Sequence, residues 1–256
     1  MTSTRTRLLN WEACINTRDL GGYPLQGGGE TRWQAMVRSD SSALLTPAGQ
    51  KALLAYGIRT VIDLRFANEL EKSPSPFVKC SRSPGWTGDD WPDYLHIPLD
   101  NDQDLTWPST LSAAVLMCDL DIRLLEQNRA HVAGVLTAIA HARPGGVLFH
   151  CHAGKDRTGL IAAVLLSSLG VPGEVIVSDY AFTYPLLDER RTIPDDLPYP
   201  AEKLAYWRVL SSSLPETMQM FLDYLEDHYH GAEGYLKTTP LLPGNLDLLR
   251  ERLVSG

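Results

Sequence analysis

An α/β domain is the fold class that this sequence predicts, on three observations. Short apolar runs of strand length alternate along the chain with longer segments of helical spacing. The run Gly146-Val147-Leu148-Phe149 leads into a short glycine-containing loop, and the apolar segment 160–166 follows, in the strand–loop–helix order of such a domain. The 256 residues, 44% hydrophobic and 21% charged, have an ordinary globular composition and enough length to bury a substantial core.

The elements follow in order. Thr46-Pro47 opens a helix, with Thr46 as N-cap and Pro47 at the first helical position; Leu53, Leu54 and Tyr56 continue it and Gly57 ends it. Residues 59–64 read as a buried strand. Residues 94–99 read as another, with Pro98 near its end. Between them, Ser73-Pro74-Ser75-Pro76 and Ser83-Pro84-Gly85-Trp86-Thr87-Gly88 are loop. Residues 111–127 and 129–142 are helices, and Gly145-Gly146 turns the chain into the central strand. Pro172 starts a helix that runs to Tyr180. The tail is helical at 201–210, 215–229 and 245–254. No repeat or low-complexity segment interrupts the chain. The expected organisation is one domain over 1–256, with helical insertions at about 100–144 and 184–240.

The chemistry concentrates in His150-Cys151-His152-Ala153-Gly154-Lys155-Asp156-Arg157-Thr158-Gly159. A loop between a strand and a helix N-terminus cradles anions, because the first backbone N–H groups of a helix lack intrahelical partners. A cysteine at the start of that cradle is stabilised as a thiolate by the same dipoles. Arg157, at the far end, can grip two phosphate oxygens in a planar fork. Cys151, the backbone of His152, Ala153, Gly154, Lys155 and Asp156, and Arg157 thus supply nucleophile, anion hole and clamp from one loop. Gly154 permits a positive φ and close approach to a ligand. Thr158 can hydrogen-bond the sulfur or the leaving oxygen, Gly159 lets the helix pack close to the strand, and His150 can fix the loop through the backbone. A buried structural cysteine is the bland alternative, but the coincidence of strand, glycines, threonine and helix favours chemistry.

This loop is similar to the signature of cysteine-dependent protein tyrosine phosphatases. Its Gly-Lys-Asp-Arg-Thr-Gly form resembles the bacterial atypical, lipid-phosphatase-like subfamily, whose members act on phosphoproteins and phosphoinositides. Two further stretches match: Asn16-Thr17-Arg18-Asp19-Leu20-Gly21-Gly22-Tyr23, and Val37-Arg38-Ser39-Asp40 followed by Val61-Ile62-Asp63-Leu64-Arg65. The resemblance covers the order of elements from about residue 10 to 182. It implies a mostly parallel central sheet flanked by helices, and hydrolysis of phosphomonoesters through a cysteinyl-phosphate. It also makes Asp156 the first candidate for the general acid, with a carboxylate that merely holds a neighbouring loop as the alternative. Asp100, Asp102 and Asp104 come next, because dual-specificity phosphatases often carry their acid after the equivalent strand. Trp91-Pro92-Asp93 spells the acid loop of the large tyrosine phosphatases, but it precedes a strand where the family's acid loop follows one. A surface turn accounts for it better.

Supporting roles fall to Arg38, Asp63, Arg65, Thr158 and Lys155. Asp63 and Arg65 end a strand on the side where such sheets place their sites; the alternative is a structural ion pair with the 16–23 segment. Lys155 is expected to face the pocket and meet a second phosphate or an acidic side chain, against a solvated surface lysine. His228 and His230, two apart, do not share a helix face and read as surface histidines. The expected substrate is phosphotyrosine in protein. A phosphoinositide phosphatase, a phosphate-binding pseudophosphatase and a sulfur-transfer enzyme are the alternatives, with inorganic phosphate as product and inhibitor. No metal or cofactor is expected. The net charge of −8 speaks against a nucleic-acid partner. Cys14, Cys80, Cys118 and Cys151 have no metal or disulfide spacing. That pattern, with an N-terminus lacking the apolar stretch of a signal peptide and no run long enough to span a membrane, points to a reducing, cytoplasmic setting.

Overall fold

The computed structural model describes residues 5–78, 91–99, 112–188, 208–209 and 211–255. Its main sheet has the order β1-β3-β6-β4-β5, built from β1 (Arg18–Asp19), β3 (Met36–Ser39), β4 (Ile58–Asp63), β5 (Asp93–His96) and β6 (Gly146–His150). β1 pairs antiparallel with β3, and the other pairings are parallel. A second, two-stranded antiparallel sheet joins β2 (Glu30–Thr31) to β7 (Val254–Ser255).

The strands alternate their side chains between two cores, as period-two geometry requires. From β6, Val147 and Phe149 enter one core and Leu148 the other; from β4, Ile62 enters the first and Ile58 and Val61 the second. β6 is buried along its whole length on both faces, which is why its sequence is a continuous apolar run and not an alternation. The second core is covered by α1 (Pro47–Tyr56), with Leu53 and Leu54 inside it. The first is covered by helices from both sides of the Cys151 loop. α3 (Ala113–Gln127) and α4 (Arg129–Ala140) bring Leu124, Leu125, Val132 and Leu136. α5 (Asp156–Ser168) and α6 (Gly173–Ala181) bring Ile161, Val164 and Tyr180. After α7 (Thr183–Asp188), α8 (Pro215–Tyr229) and α9 (Ala232–Lys237) add Phe221, Leu225 and Tyr235, and α10 (Gly244–Leu253) adds Leu249. The helices of both expected insertions therefore share one core with the signature helix.

Local rules hold at the ends of α1: Thr46 Oγ1 accepts from Gly49 N at 3.2 Å and Gly57 closes the helix at φ +100°. Several boundaries differ from expectation. The strand expected over 94–99 is regular only at Asp93–His96, although Ile97 N and Leu99 N still bond Asp63 O and Leu64 O along β4. Pro172 is the N-cap of α6 and not its first helical residue. The last helix stops at Leu253, because Val254 turns into β7. The six-residue α2 (Ala67–Lys72) was not foreseen. The helix expected at 201–210, the loop at 83–88 and Cys80 lie mostly or wholly outside the described residues. Among the described residues no helix is long and apolar enough to cross a membrane.

Candidate active site

The loop leaves β6 at the C-terminal edge of the sheet, level with the end of β4, since His150 pairs with Asp63. Its six consecutive carbonyls, 150 to 155, are all tied back to the scaffold. His150 O accepts from Leu64 N (2.8 Å), Cys151 O bonds His150 Nδ1 (3.0 Å) and His152 O accepts from Ser41 N (3.0 Å). Ala153 O accepts from Asn16 Nδ2 (2.9 Å), Gly154 O from Arg38 Nη2 (2.8 Å) and Lys155 O from Gly159 N (2.7 Å). In a trans peptide the N–H points opposite to the C=O. Holding the carbonyls outward therefore turns the following N–H groups toward the concave side, ahead of the N-terminus of α5. Gly154 is required by this path: its φ is +69°, and a Cβ would stand 2.5 Å from Ser39 O and 2.6 Å from Asp40 N.

The bracing has a hub that the sequence reading missed. Asp179 of α6, wholly buried, takes Arg18 Nε at 2.7 Å, Arg38 Nη1 at 2.5 Å and Tyr23 Oη at 2.9 Å. Burial opposes its charge, but the Arg18 and Arg38 guanidinium groups outweigh that and hold the carboxyl well below the usual range. The 16–23 segment thus serves the loop from beneath: Arg18 bonds Asn16 Oδ1, and Asn16 carries Ala153. A sequence signal existed, since Asp179 shares a buried helix face with Ile176 and Tyr180 and a carboxylate there needs partners.

Cys151 is buried at the mouth of the loop. Arg157 is held by a second unforeseen residue, Glu69 of α2: Nη1 stands 2.6 Å from Oε2 and Nη2 3.1 Å from Oε1. Glu69 Oε2 also accepts from Phe66 N at 2.8 Å, and the Phe66 ring lies 4.2 Å from the Arg157 guanidinium carbon. Burial disfavours the Arg157 charge, but the Cys151 sulfur and Glu69 more than restore it. Glu69 in turn is held below the usual carboxylate range, Arg157 outweighing burial.

The remaining candidates divide. Asp156 opens α5, with 35% of its side chain exposed and Oδ1 3.1 Å from Lys155 Nζ. Lys155 does not reach toward a ligand: its side chain is buried and Nζ donates to Ser212 O at 2.7 Å. Thr158 Oγ1 is buried with no hydrogen-bond partner among the described residues, so the expected bond to the Cys151 sulfur is not made. Gly159 makes room for the Tyr180 ring and not for the strand; a Cβ there would meet the ring at 3.0 Å. Asp63 and Arg65 do pair, but with each other, Oδ2 to Nη2 at 2.7 Å, and not with the 16–23 segment. Tyr94 Oη donates to Asp63 and Arg65 donates to Ser73 O, which fixes the turn beneath Glu69. His150 Nε2 bonds Ser42 Oγ at 2.8 Å, and burial pushes its imidazole below the ordinary range. Asp93 is exposed at the start of β5, opposite Thr60 and at the far end from the loop, with Oδ2 3.4 Å from Arg143 Nε. That position speaks against an acid role, but the stretch is not the expected surface turn either: Trp91 is packed in the second core, Pro92 is buried and Asp93 begins β5. Asp100, Asp102 and Asp104 lie outside the described residues. Among the described residues no cluster of His, Cys, Asp and Glu is arranged to hold a metal.

Comparison with known proteins places the chain in a family. The model of a tyrosine phosphatase family matches residues 9–255. A tyrosine-protein phosphatase of Nostoc commune is 32% identical over 239 residues, spanning 86% of this chain and 74% of its own. A putative tyrosine-protein phosphatase of Cupriavidus necator is 32% identical over 179 residues, 67% of this chain and 61% of the relative. A triple specificity protein phosphatase of Mycobacterium tuberculosis is 30% identical over 178 residues, 57% and 59% of the two chains.

Proposed function

This chain belongs to the tyrosine phosphatase family, and on that premise we propose that it hydrolyses phosphomonoesters, with phosphotyrosine in protein as the substrate, through a phosphate ester of Cys151. The observation that carries the reading is the single loop that joins a buried Cys151, outward-tied carbonyls and an Arg157 fork already set in a plane by Glu69. The Cys151 thiolate attacks phosphorus; the S–P bond forms as the P–O bond to the leaving group breaks. The loop N–H groups from His152 to Arg157 and the Arg157 fork hold the three equatorial oxygens. Asp156 gives its proton to the leaving oxygen. Water then attacks phosphorus, the S–P bond breaks, the water proton returns to Asp156, and phosphate and thiolate are released.

A second phosphate read by Lys155 would favour the phosphoinositide alternative, and Nζ turned onto Ser212 O does not lend it that support. The pseudophosphatase alternative finds no support in a site whose nucleophile, clamp and acid candidates are all present. Inorganic phosphate is then product and competitive inhibitor, and a reducing compartment such as the cytoplasm suits a free thiolate. A panel of phosphotyrosine, phosphoserine and phosphothreonine peptides beside a phosphoinositide panel tests the substrate class. The expected result is highest kcat/KM on phosphotyrosine; preference for a phosphoinositide by tenfold or more would overturn it.

A further inference from the structure

Arg18, Arg65 and Arg250 each have a carboxylate partner, Asp179, Asp63 and Glu233. Arg5, Arg7, Arg32 and Arg252 make no ion pair among the described residues, and they gather at one tryptophan. The guanidinium carbons of Arg5 and Arg7 stand 5.7 and 5.5 Å from the centroid of the Trp33 ring. Arg7 donates to Gly21 O at 2.9 Å and Gly22 O at 2.6 Å, and acts on buried Asp19 without pairing with it. Arg32 precedes Trp33 in the chain, and Arg252 of α10 shares with both a cavity of about 500 Å³. In a protein of net charge −8 this is a local reversal of sign.

The cavity opens where β3 and β6 begin, whereas Cys151 lies beyond the last residue of β6. At about 3.3 Å per residue, β6 puts roughly 17 Å between the two. Pro144 and Leu248 supply apolar wall. Arg252 is fixed in place: Nη1 donates to Ala142 O at 2.8 Å, and Nη2 to Arg143 O at 3.0 Å and Gly145 O at 2.6 Å. Carbonyls orient a guanidinium but do not cancel its charge. Arg32 is exposed and commits Nη2 to Val254 O at 2.8 Å, which leaves Nε and Nη1 for a ligand. Burial first and the Arg32 charge second hold Arg252 below the usual guanidinium range, so the two positive charges work against each other. Glu251, the acidic side chain of the lining, is exposed and makes no ion pair among the described residues.

We propose that this cavity is a second anion site, which takes a phosphate group on the open edge of Arg32 within the field of the fixed Arg252. Two guanidinium charges suit a phosphate group, with about −1.5 to −2 charges at pH 7, better than a carboxylate with one. The planar edge of an arginine also matches two phosphate oxygens. An anion here relieves the repulsion between Arg32 and Arg252, which no described carboxylate does. The site stands apart from the signature loop, and the inference does not rest on the reaction at Cys151. Two sources carry the group, soluble phosphate and a lipid headgroup, and the test separates them.

The test titrates inorganic phosphate into the full-length wild-type protein at low ionic strength, where surface charges are least screened. The readout is the indole N–H resonance of Trp33, assigned by its loss in Trp33→Phe. A saturable shift is expected. Arg32→Gln should weaken the binding it reports by about tenfold or more, and Arg32→Lys should restore part of it. Arg157→Lys, a change in the other site, should leave it unmoved. Turnover of a phosphotyrosine peptide by Arg32→Gln should match the wild type, as befits an exposed side chain at the far end of the sheet. A second arm measures co-sedimentation with phosphatidylcholine vesicles, with and without phosphatidic acid. The Trp33 shift together with sedimentation that needs both phosphatidic acid and Arg32 assigns the group to a lipid headgroup. The shift without Arg32-dependent sedimentation assigns it to soluble phosphate. No saturable shift, or one that Arg32→Gln leaves unaltered, overturns the proposal whatever the vesicles do.

Discussion

At Arg157 three constraints meet: the backbone at the start of α5, the Phe66 ring beneath the guanidinium and the two oxygens of Glu69. The fork therefore loses little freedom when phosphate arrives, and part of the orientation cost is already met by folding. Lysine offers one point charge and no plane. Arg157→Lys should lower kcat by about 10²–10³-fold, and Glu69→Gln, which keeps the shape but removes the charge, should lower kcat/KM by about tenfold. Steady-state kinetics on a phosphotyrosine peptide checks both; equal effects of the two changes would mean that Glu69 does more than orient the clamp. Cys151 and Arg157 are legible in the sequence because one short loop joins them. Glu69 is not, because it reaches Arg157 from 88 residues away across a tertiary contact. Asp179 is the intermediate case: its partners are remote, but its place on an apolar helix face announces that it has some.

At the scale of elements, the strand–loop–helix unit from Gly146 to Ser168 follows from local chemistry, and α1 and α3 from their caps. β1, β2 and β7 are two residues each, too short for any periodicity to register. α2 and α9, at six residues, carry less than two turns of pattern. These short pieces are also what the site depends on, since β1 carries Arg18 and α2 carries Glu69. The loop itself has one position where substitution tests its path. Gly154→Ala puts a side chain at φ +69° and against Ser39 O. It should destabilise the protein by about 1–3 kcal/mol and lower phosphate affinity. Chemical denaturation and phosphate inhibition constants measure the two effects. A variant with wild-type stability and affinity would contradict the described loop conformation.

Across the whole molecule, buried ion pairs fasten the N-terminal segment, the loop and α6 together, and this sets the acid limit of stability. Burial alone would raise the Asp63 carboxyl; the fields of His150 and Arg65 and the Arg65 hydrogen bonds outweigh it and hold the group at about 2. Burial also pushes His150 below the ordinary imidazole range, so at neutral pH the Arg65 contribution is the lasting one. Asp179 is depressed in the same sense by Arg18 and Arg38. A carboxyl depressed in the folded state stabilises it fully above the unfolded value of about 4, and that contribution is lost as pH falls toward the folded value. Denaturation midpoints should thus fall steeply between about pH 4 and 2, and Asp179→Asn should flatten the fall while lowering stability at neutral pH. An unchanged slope in that variant would assign acid sensitivity elsewhere. The central claim concerns the bond that forms at Cys151. Rapid acid quench of the wild-type enzyme turning over a phosphotyrosine peptide in chelator-treated buffer, followed by peptide mass spectrometry, tests it most directly. Phosphate carried on the peptide that contains Cys151, and turnover abolished by Cys151→Ser with phosphate binding retained, are the results expected; turnover that survives Cys151→Ser, with no phosphorylated cysteine in the quenched wild type, would contradict the mechanism.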